Sequence, residues 1–531
     1  MIQTDIILPT DYGKDELCRA LRARIPVTED EAATAVPTKK TLISEDGNFS
    51  WKMSVALSLP PEREAGLLKI RKKVTPATDL SFPLPHVPAA ACSSVRPAVI
   101  GFGPAGMFAA LFLAECGLRP VVFERGERVE ERDERVRLFN TRGVLSEDSN
   151  IQFGEGGAGA FSDGKLKCGA MDRYKRRVLS EFVSHGAPED ILYTVGSHLG
   201  TDKLRGYVRG IREKIISLGG TFRFSSRVDG IVTRRGRISA LEYTDSQGTH
   251  REEVTHAILA TGHSARDTYR MLLSLGVIME PRGFGVGVRA EHPREYINRI
   301  VYRGETPPGL GAASYHLVTH LPGGRSVYSF CMCPGGVVVG ATSAVGGVVT
   351  NGMSAFARDG ENSNAALLVS LTPEDFGGAS PLAGIELQER LERAAYAAHG
   401  RYIAPAERLG DFLSTAHAPS GFGSVRPSYL PGTAPYDISR VLPPYVTDSL
   451  RAAIPDFDAW LPGYMYQDAV LTATETRSTA PVRLTRLPDF SLPGFSGLYA
   501  AGEGAGYAGG IVSSAVDGLR CAEAIARSLV K

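Results

Sequence analysis

Residues 96–125, RPAVIGFGPAGMFAALFLAECGLRPVVFER, decide the fold. An apolar strand ending at Ile100 runs into Gly101-Phe102-Gly103-Pro104-Ala105-Gly106, an apolar helix follows, and a second strand over 120–123 ends on the acid Glu124. Gly101 permits the tight turn off the strand, Gly103 lets a pyrophosphate approach the backbone, and Gly106 lets the helix lie close to the sheet. Pro104 suits a first helical turn, where its missing N–H is no loss. The helix start presents unpaired N–H groups and a positive dipole end to phosphates. Glu124 stands 23 residues beyond Gly101, the place of an acid that binds an adenosine ribose. Strand, glycines, helix, strand and acid in this order predict a dinucleotide-binding βαβ unit.

Outward from this stretch, 531 residues call for two or three domains. A net charge of +1 gives no electrostatic reason to seek nucleic acid or an anionic membrane as partner. Seven cysteines, without a CxxC pair or zinc-like spacing and odd in number, fit a reducing compartment and no metal site. The start MIQTDIILPTDYGKDE meets acids and a proline too early for a signal-peptide core, and no run reaches the roughly 18 apolar residues of a membrane span. A cytoplasmic protein is the expectation.

Residues 1–90 read as a small α+β module of ferredoxin-like type, with strands over 3–8 and 50–59 and helices over 14–24 and 62–73. The module has no chemical motif, and its basic residues read as a solvated helix face. Residues 91–97 end a Pro-, Ala- and Ser-rich stretch (81–97) that reads as a linker. The nucleotide-binding domain is expected over 98–280, a β-rich cap for a small-molecule substrate over 281–465, and the closing segment of the first domain over 466–531. After Glu124 a charged helix begins, whose Arg125 and Arg132 are candidates to reach adenosine phosphates. Residues 149–169, SNIQFGEGGAGAFSDGKLKCG, match GxGxxG at 154–159, but a polar loop follows where an apolar helix belongs. So glycine-dense a loop lets backbone approach a flat ligand, with Gly156 and Gly157 as contacts and Asp163 and Lys165 as candidates to touch cofactor or substrate.

A helix over 201–218 precedes a strand pair over 221–233, which sets Val228 beside an adenine. The apolar strand of AILATG ends at Ala260 and Gly262, on the carboxyl edge where open α/β sheets bind ligands. His263 after it is a candidate acid or base. In the cap, strands are expected over 283–291, 315–321, 326–331 and 337–342, with a hairpin at Pro322-Gly323-Gly324 and a helix over 386–399. Cys331 and Cys333, one apart on a strand, should face opposite sides as small hydrophobes and form no redox pair. Glu475 and Arg477 are candidates to orient a polar substrate, with a structural ion pair as the favoured reading. From Gly497, GLYAAGEGAGYAGGIVSSAVDGLRCAEAIARSLV brings a strand into Gly502-Glu503-Gly504, then Gly509 and Gly510, then a helix from Ile511 whose start offers bare N–H groups.

With both ends read, the chain resembles the two-domain FAD flavoproteins of the glutathione reductase type. SNIQFGEGGAGAFSDGKL, LATGHSARDTY, VYSFCMCPGGVVVGATS with VVTNGMS, and GEGAGYAGGIVSSAVDG are similar to the family called FAD-dependent, or NAD(FAD)-utilising, dehydrogenases. The resemblance implies an α/β fold: a Rossmann-type, glutathione reductase-like FAD domain with a β-rich cap and a small N-terminal α+β domain. It implies bound FAD, carried by Gly101, Gly103, Pro104, Ala105, Gly106, Glu124, Arg125, Val228, Gly262, Gly502, Glu503, Gly510 and Ile511. Glu503 stands where the wider superfamily often has aspartate. Hydride transfer between flavin N5 and a small molecule follows, with NAD(P)H as a transient donor because no second complete nucleotide-binding βαβ is present. Two other readings stand beside it: a flavin-dependent RNA-modifying enzyme, and a non-catalytic flavin-binding regulatory protein.

Overall fold

The computed structural model describes residues 1–531 except 46, 70–72, 167–170, 379, 415–418, 420 and 531. Its centre is a parallel sheet in the order Thr221–Arg223, Val121–Phe123, Ala98–Ile100, Ala257–Leu259, Phe495–Ala500. These strands are apolar on both faces because both faces are covered. Val99 joins the core beneath helices Pro104–Glu115, Arg173–Ser184, Thr201–Ser217 and Ile511–Ser528. Ala98 and Ile100 point the other way, onto an antiparallel ribbon of strands Arg227–Arg234, Arg237–Asp245 and Gly248–Glu253. Residues 221–233, expected as one strand pair, are therefore split between two layers.

Helix Pro104–Glu115 is buried all round from Ala105 to Ala114, hence its uniform hydrophobicity. A Cβ on Gly106 would fall within van der Waals overlap of the Gly101 carbonyl oxygen, and one on Gly518 would do the same to that of Ala105. These two glycines let the first helix lie on its strand and the last helix cross the first. Both helix N-termini are thereby brought to one end of the sheet.

The chain leaves this domain through Met279–Pro281 and returns through Val482–Leu484, and these two short strands pair antiparallel. Between them lies a seven-stranded sheet with Phe284–Pro293 near its middle, flanked by Asn362–Leu371 and Val470–Glu475. Helices Ala383–Ala397 and Pro444–Trp460 cover it. Val470–Glu475 thus belongs to the cap sheet, and the closing segment expected from 466 starts only after the return crossing. The expected hairpin at Pro322-Gly323-Gly324 joins Val318–His320 to Ser326–Cys333.

Strands Ile2–Leu8, Val36–Glu45, Asn48–Leu57 and Thr75–Pro76 form an antiparallel sheet in which the first strand lies between the third and the fourth. With helices Lys14–Arg24 and Pro61–Leu68 the order is β-α-β-β-α-β, with a short helix Glu29–Ala33 before the second strand. The basic stretch read over 62–73 runs partly outside the described residues. The module docks by main chain: Lys40 N donates to the Tyr193 carbonyl (2.7 Å), and Val195 N donates to that of Lys40 (2.8 Å). The expected linker is seated rather than free. It carries a helix, Ala89–Ser94, and Phe82 lies edge-on to Phe112 and Tyr174. Among the described residues no helix is long and apolar enough to cross a membrane.

Candidate functional site

A cavity of about 1040 Å³ opens where the sheet ends, the cap and the N-terminal module meet. Its wall includes Gly101, Gly103, Pro104 and Ala105 of the first turn, Glu124 and Arg125 after the second strand, and Gly157 of the glycine loop. Lys165, Val228, Ala260, Gly262, Glu503, Gly509, Gly510 and Ile511 complete the set that the sequence reading assigned and the fold gathers.

Gly101 has φ +97° and turns the chain off the strand, with no room for a Cβ against the Ala260 carbonyl. Gly103 and Gly157 face each other so closely that a Cβ on Gly157 would come within 2.8 Å of the Gly103 Cα. Two bare backbones therefore form one cradle, with the Pro104 helix start above it. At the other end Gly509 has open space around its Cα and Gly510 meets only the Ser513 hydroxyl, so the Ile511 helix start is equally bare.

Glu124 is buried, and its carboxylate accepts from Phe102 N (2.8 Å), Gly126 N (3.0 Å) and Gly154 N (3.0 Å). These bonds tie the first turn to the glycine loop and leave acceptor capacity on Oε2 for a hydroxyl. Arg125 bonds Asp267 (3.0 Å) and lies over Phe153, one side chain in the wall between them. His263 Nδ1 sits 3.3 Å from Glu503, and its buried Nε2 has no partner among the described residues.

Four assigned residues lie behind the wall instead. Arg132 is fully buried and donates to the carbonyls of Asn150 (2.7 Å), Ile151 (2.8 Å), Gly154 (3.3 Å) and Glu155 (2.7 Å). It shapes the glycine loop and does not reach a phosphate. Gly156 turns away against Ala160 and Val208, Gly106 abuts Gly101, and Gly502 packs on Ala105 while its N–H donates to Asp517 (2.7 Å).

The cysteine expectation holds for Cys333, which is buried, and needs correcting for Cys331. A bulge between Phe330 and Cys333 breaks the strand alternation, and Cys331 takes φ +43°. Cys331 thus lines the cavity, and the Cys333 thiol donates to the Cys331 carbonyl (3.2 Å). The neighbouring Cys333 side chain, with the nearby Lys165 and Arg289 cations, holds the Cys331 thiol below its usual range, whereas the Cys331 side chain and burial push Cys333 up. Cys168 lies outside the described residues. Glu475 and Arg477 are each in a buried ion pair, but not with one another: Glu475 takes Arg289 (2.5 Å) and Arg477 takes Glu392 (2.9 Å).

The sequence reading missed the part of the wall built by Leu42, Phe49 and Trp51 of the N-terminal module, opposite Tyr302, Leu310 and Phe330 of the cap. One signal was available. Phe49 and Trp51 alternate on one strand and so share a face, although Trp51 also packs on the core of the module. Among the described residues no cluster of His, Cys, Asp and Glu is arranged to hold a metal ion.

Residues 283–478 match the family model described as "FAD-dependent protein, C-terminal domain-like", nearly the span of the cap. A Clostridium beijerinckii protein described only as uncharacterized is 47% identical over 433 residues, 81% of this chain and 80% of that one. Among solved structures, Thermovibrio ammonificans THI4 is 20% identical with a TM-score of 0.25, covering 35% of this chain and 64% of its own, so this chain spans less than two thirds of it. A geranylgeranyl bacteriochlorophyll reductase-like protein from Thermoplasma acidophilum is 11% identical with a TM-score of 0.36, covering 82% and 78%. Both structural likenesses are too distant to bear on function.

Proposed function

We propose that this chain, which belongs to one family with the Clostridium beijerinckii protein, is an FAD-dependent oxidoreductase. The observation that carries the reading is one cavity joining two bare helix starts, Gly103-Pro104 and Gly510-Ile511, with a buried carboxylate, Glu124, at its side. A dinucleotide with a flat, reducible ring is the ligand that such a set fits. When bound, FAD supplies hydride exchange at N5 of its ring.

The chain's own residues do the rest. The Pro104 helix start and the facing glycines hold the pyrophosphate, and Glu124 accepts from an adenosine ribose hydroxyl. Glu503 accepts from ribityl hydroxyls, with His263 fixing its orientation. The Ile511 helix start would favour negative charge on a bound flavin ring. The cap and the N-terminal module close over the opposite side and exclude water. The strand order and the antiparallel ribbon support a glutathione reductase-like arrangement of the FAD domain. NADH or NADPH would act as a docking co-substrate and not as a resident.

Purified protein should be yellow, and anaerobic stopped-flow mixing with NADH, NADPH and a metabolite panel should bleach the flavin with at least one of them. A colourless chain that takes up no added FAD would end the reading.

A further inference from the structure

We infer that the substrate is an aromatic or similarly apolar molecule bearing one oxyanion, seated with its oxyanion on Lys165 and its apolar body against the N-terminal module. The inference rests on the flavoenzyme reading only for which end of the molecule reacts.

The first support is a stranded charge. Lys165 Nζ is buried in the cavity wall without a hydrogen-bond partner among the described residues. The carboxylate near it, Asp163, is 3.7 Å away, beyond hydrogen-bond range, and is already taken by Ser354 and by two nitrogens of Arg358. Asp163 thus serves Arg358 by hydrogen bonds and Lys165 by charge alone, and the Cys331 thiol is also near the lysine. An ammonium with its Nζ buried and no hydrogen bond made calls for an acceptor, and a negatively charged oxygen supplies the strongest one.

The second support is where Lys165 stands. Its main chain is held by the segment 197–199: Leu166 N donates to the Ser197 carbonyl (2.9 Å) and Leu199 N to that of Gly164 (3.0 Å). A few residues earlier the same segment carries the Val195 and Tyr193 bonds to Lys40 of the N-terminal module. Lys165 therefore marks the border between the glycine loop and a vestibule of Leu42, Phe49, Trp51, Tyr302, Leu310 and Phe330. Phe49 and Tyr302 meet edge to face at 5.3 Å, and the Trp51 indole N–H is spent on the Thr10 carbonyl (3.2 Å). What these six offer a ligand is chiefly ring and hydrocarbon surface, which binds apolar matter and rejects small hydrophilic acids.

A matched pair of probes tests both halves on the FAD-loaded full-length protein: 1-anilinonaphthalene-8-sulfonate, and N-phenyl-1-naphthylamine, the same rings without the anion. The chain has two tryptophans, and Trp460 is 76% exposed, so a Trp460→Phe background leaves Trp51 as the reporter. Expected are one saturable site per chain for both probes, with quenching of Trp51 emission. Lys165→Met should weaken the sulfonate probe about tenfold and the neutral one by less than about twofold. Phe49→Ala should weaken both, with Leu42→Ser as the second variant should the first not fold.

Absence of saturable binding while FAD is retained overturns the inference, as does an equal effect of Lys165→Met on both probes. Loss of FAD from Lys165→Met also overturns it, because the lysine would then belong to the cofactor. A chain that never takes up FAD defeats the proposed function instead, and the same titrations on that chain still decide this point.

Discussion

Gly103 separates a cofactor role from a packing role. It has an ordinary negative φ (−75°), and a Cβ there meets only the Gly157 Cα, at 3.7 Å. Gly103→Val should therefore fold with a melting temperature close to that of the parent apoprotein, while its branched side chain fills the phosphate cradle. Flavin absorbance per chain should drop by at least about tenfold, a loss of some 1.4 kcal/mol or more in binding. Glu407, remote from the cavity, shows the opposite separation. Burial pushes its carboxyl up to about 7, although the Ile438 N–H (2.9 Å) favours the ionised form. Between an unfolded value near ~4.3 and this folded value, the native chain holds a proton that the unfolded chain has released, so stability falls as pH rises through that window. Glu407→Gln keeps an acceptor for Ile438 and removes the slope. Urea melts should show it more stable than the parent at pH 8, by an amount of order 2 kcal/mol, and no more stable near pH 5.

The helix Ala383–Ala397 carries the bolt between the two large domains. Its Glu392 receives Arg266 of the nucleotide domain (2.7 Å) and Arg477 of the returning chain (2.9 Å), and all three side chains are buried. The paired cations hold the Glu392 carboxyl far below the usual carboxylate range against the cost of burial. Glu392→Ala leaves two guanidinium groups without that partner and should cost about 3–5 kcal/mol in chemical denaturation. This element was legible as an amphipathic helix, whereas its partners were not, because they are set by contacts far apart in sequence. The same division runs through the site. Gly101, Gly103 and Glu124 were readable because their roles follow from local spacing and backbone freedom. Arg132 was misread because nothing in its own segment reveals that four carbonyls of residues 150–155 capture it. The turn of Cys331 into the cavity was missed because strand alternation is a rule that a bulge suspends, and the aromatic wall was missed because it joins stretches far apart in sequence.

At the scale of the whole molecule, the N-terminal module is held against the nucleotide domain in part by two main-chain bonds at Lys40. Val195→Pro removes one donor and should loosen the module. Limited proteolysis should then cut the Pro- and Ala-rich stretch 81–97 several times faster. The arrangement also sets a timetable for synthesis. The strand Phe495–Ala500 lies beside Ala257–Leu259 in the middle of the sheet, yet the ribosome makes it only after the entire cap. At about 5–20 residues per second the nascent chain waits roughly ten to fifty seconds with that strand edge unpaired. For that interval it is a natural client for chaperones, and holding the cofactor with both helix starts must await synthesis of the helix Ile511–Ser528.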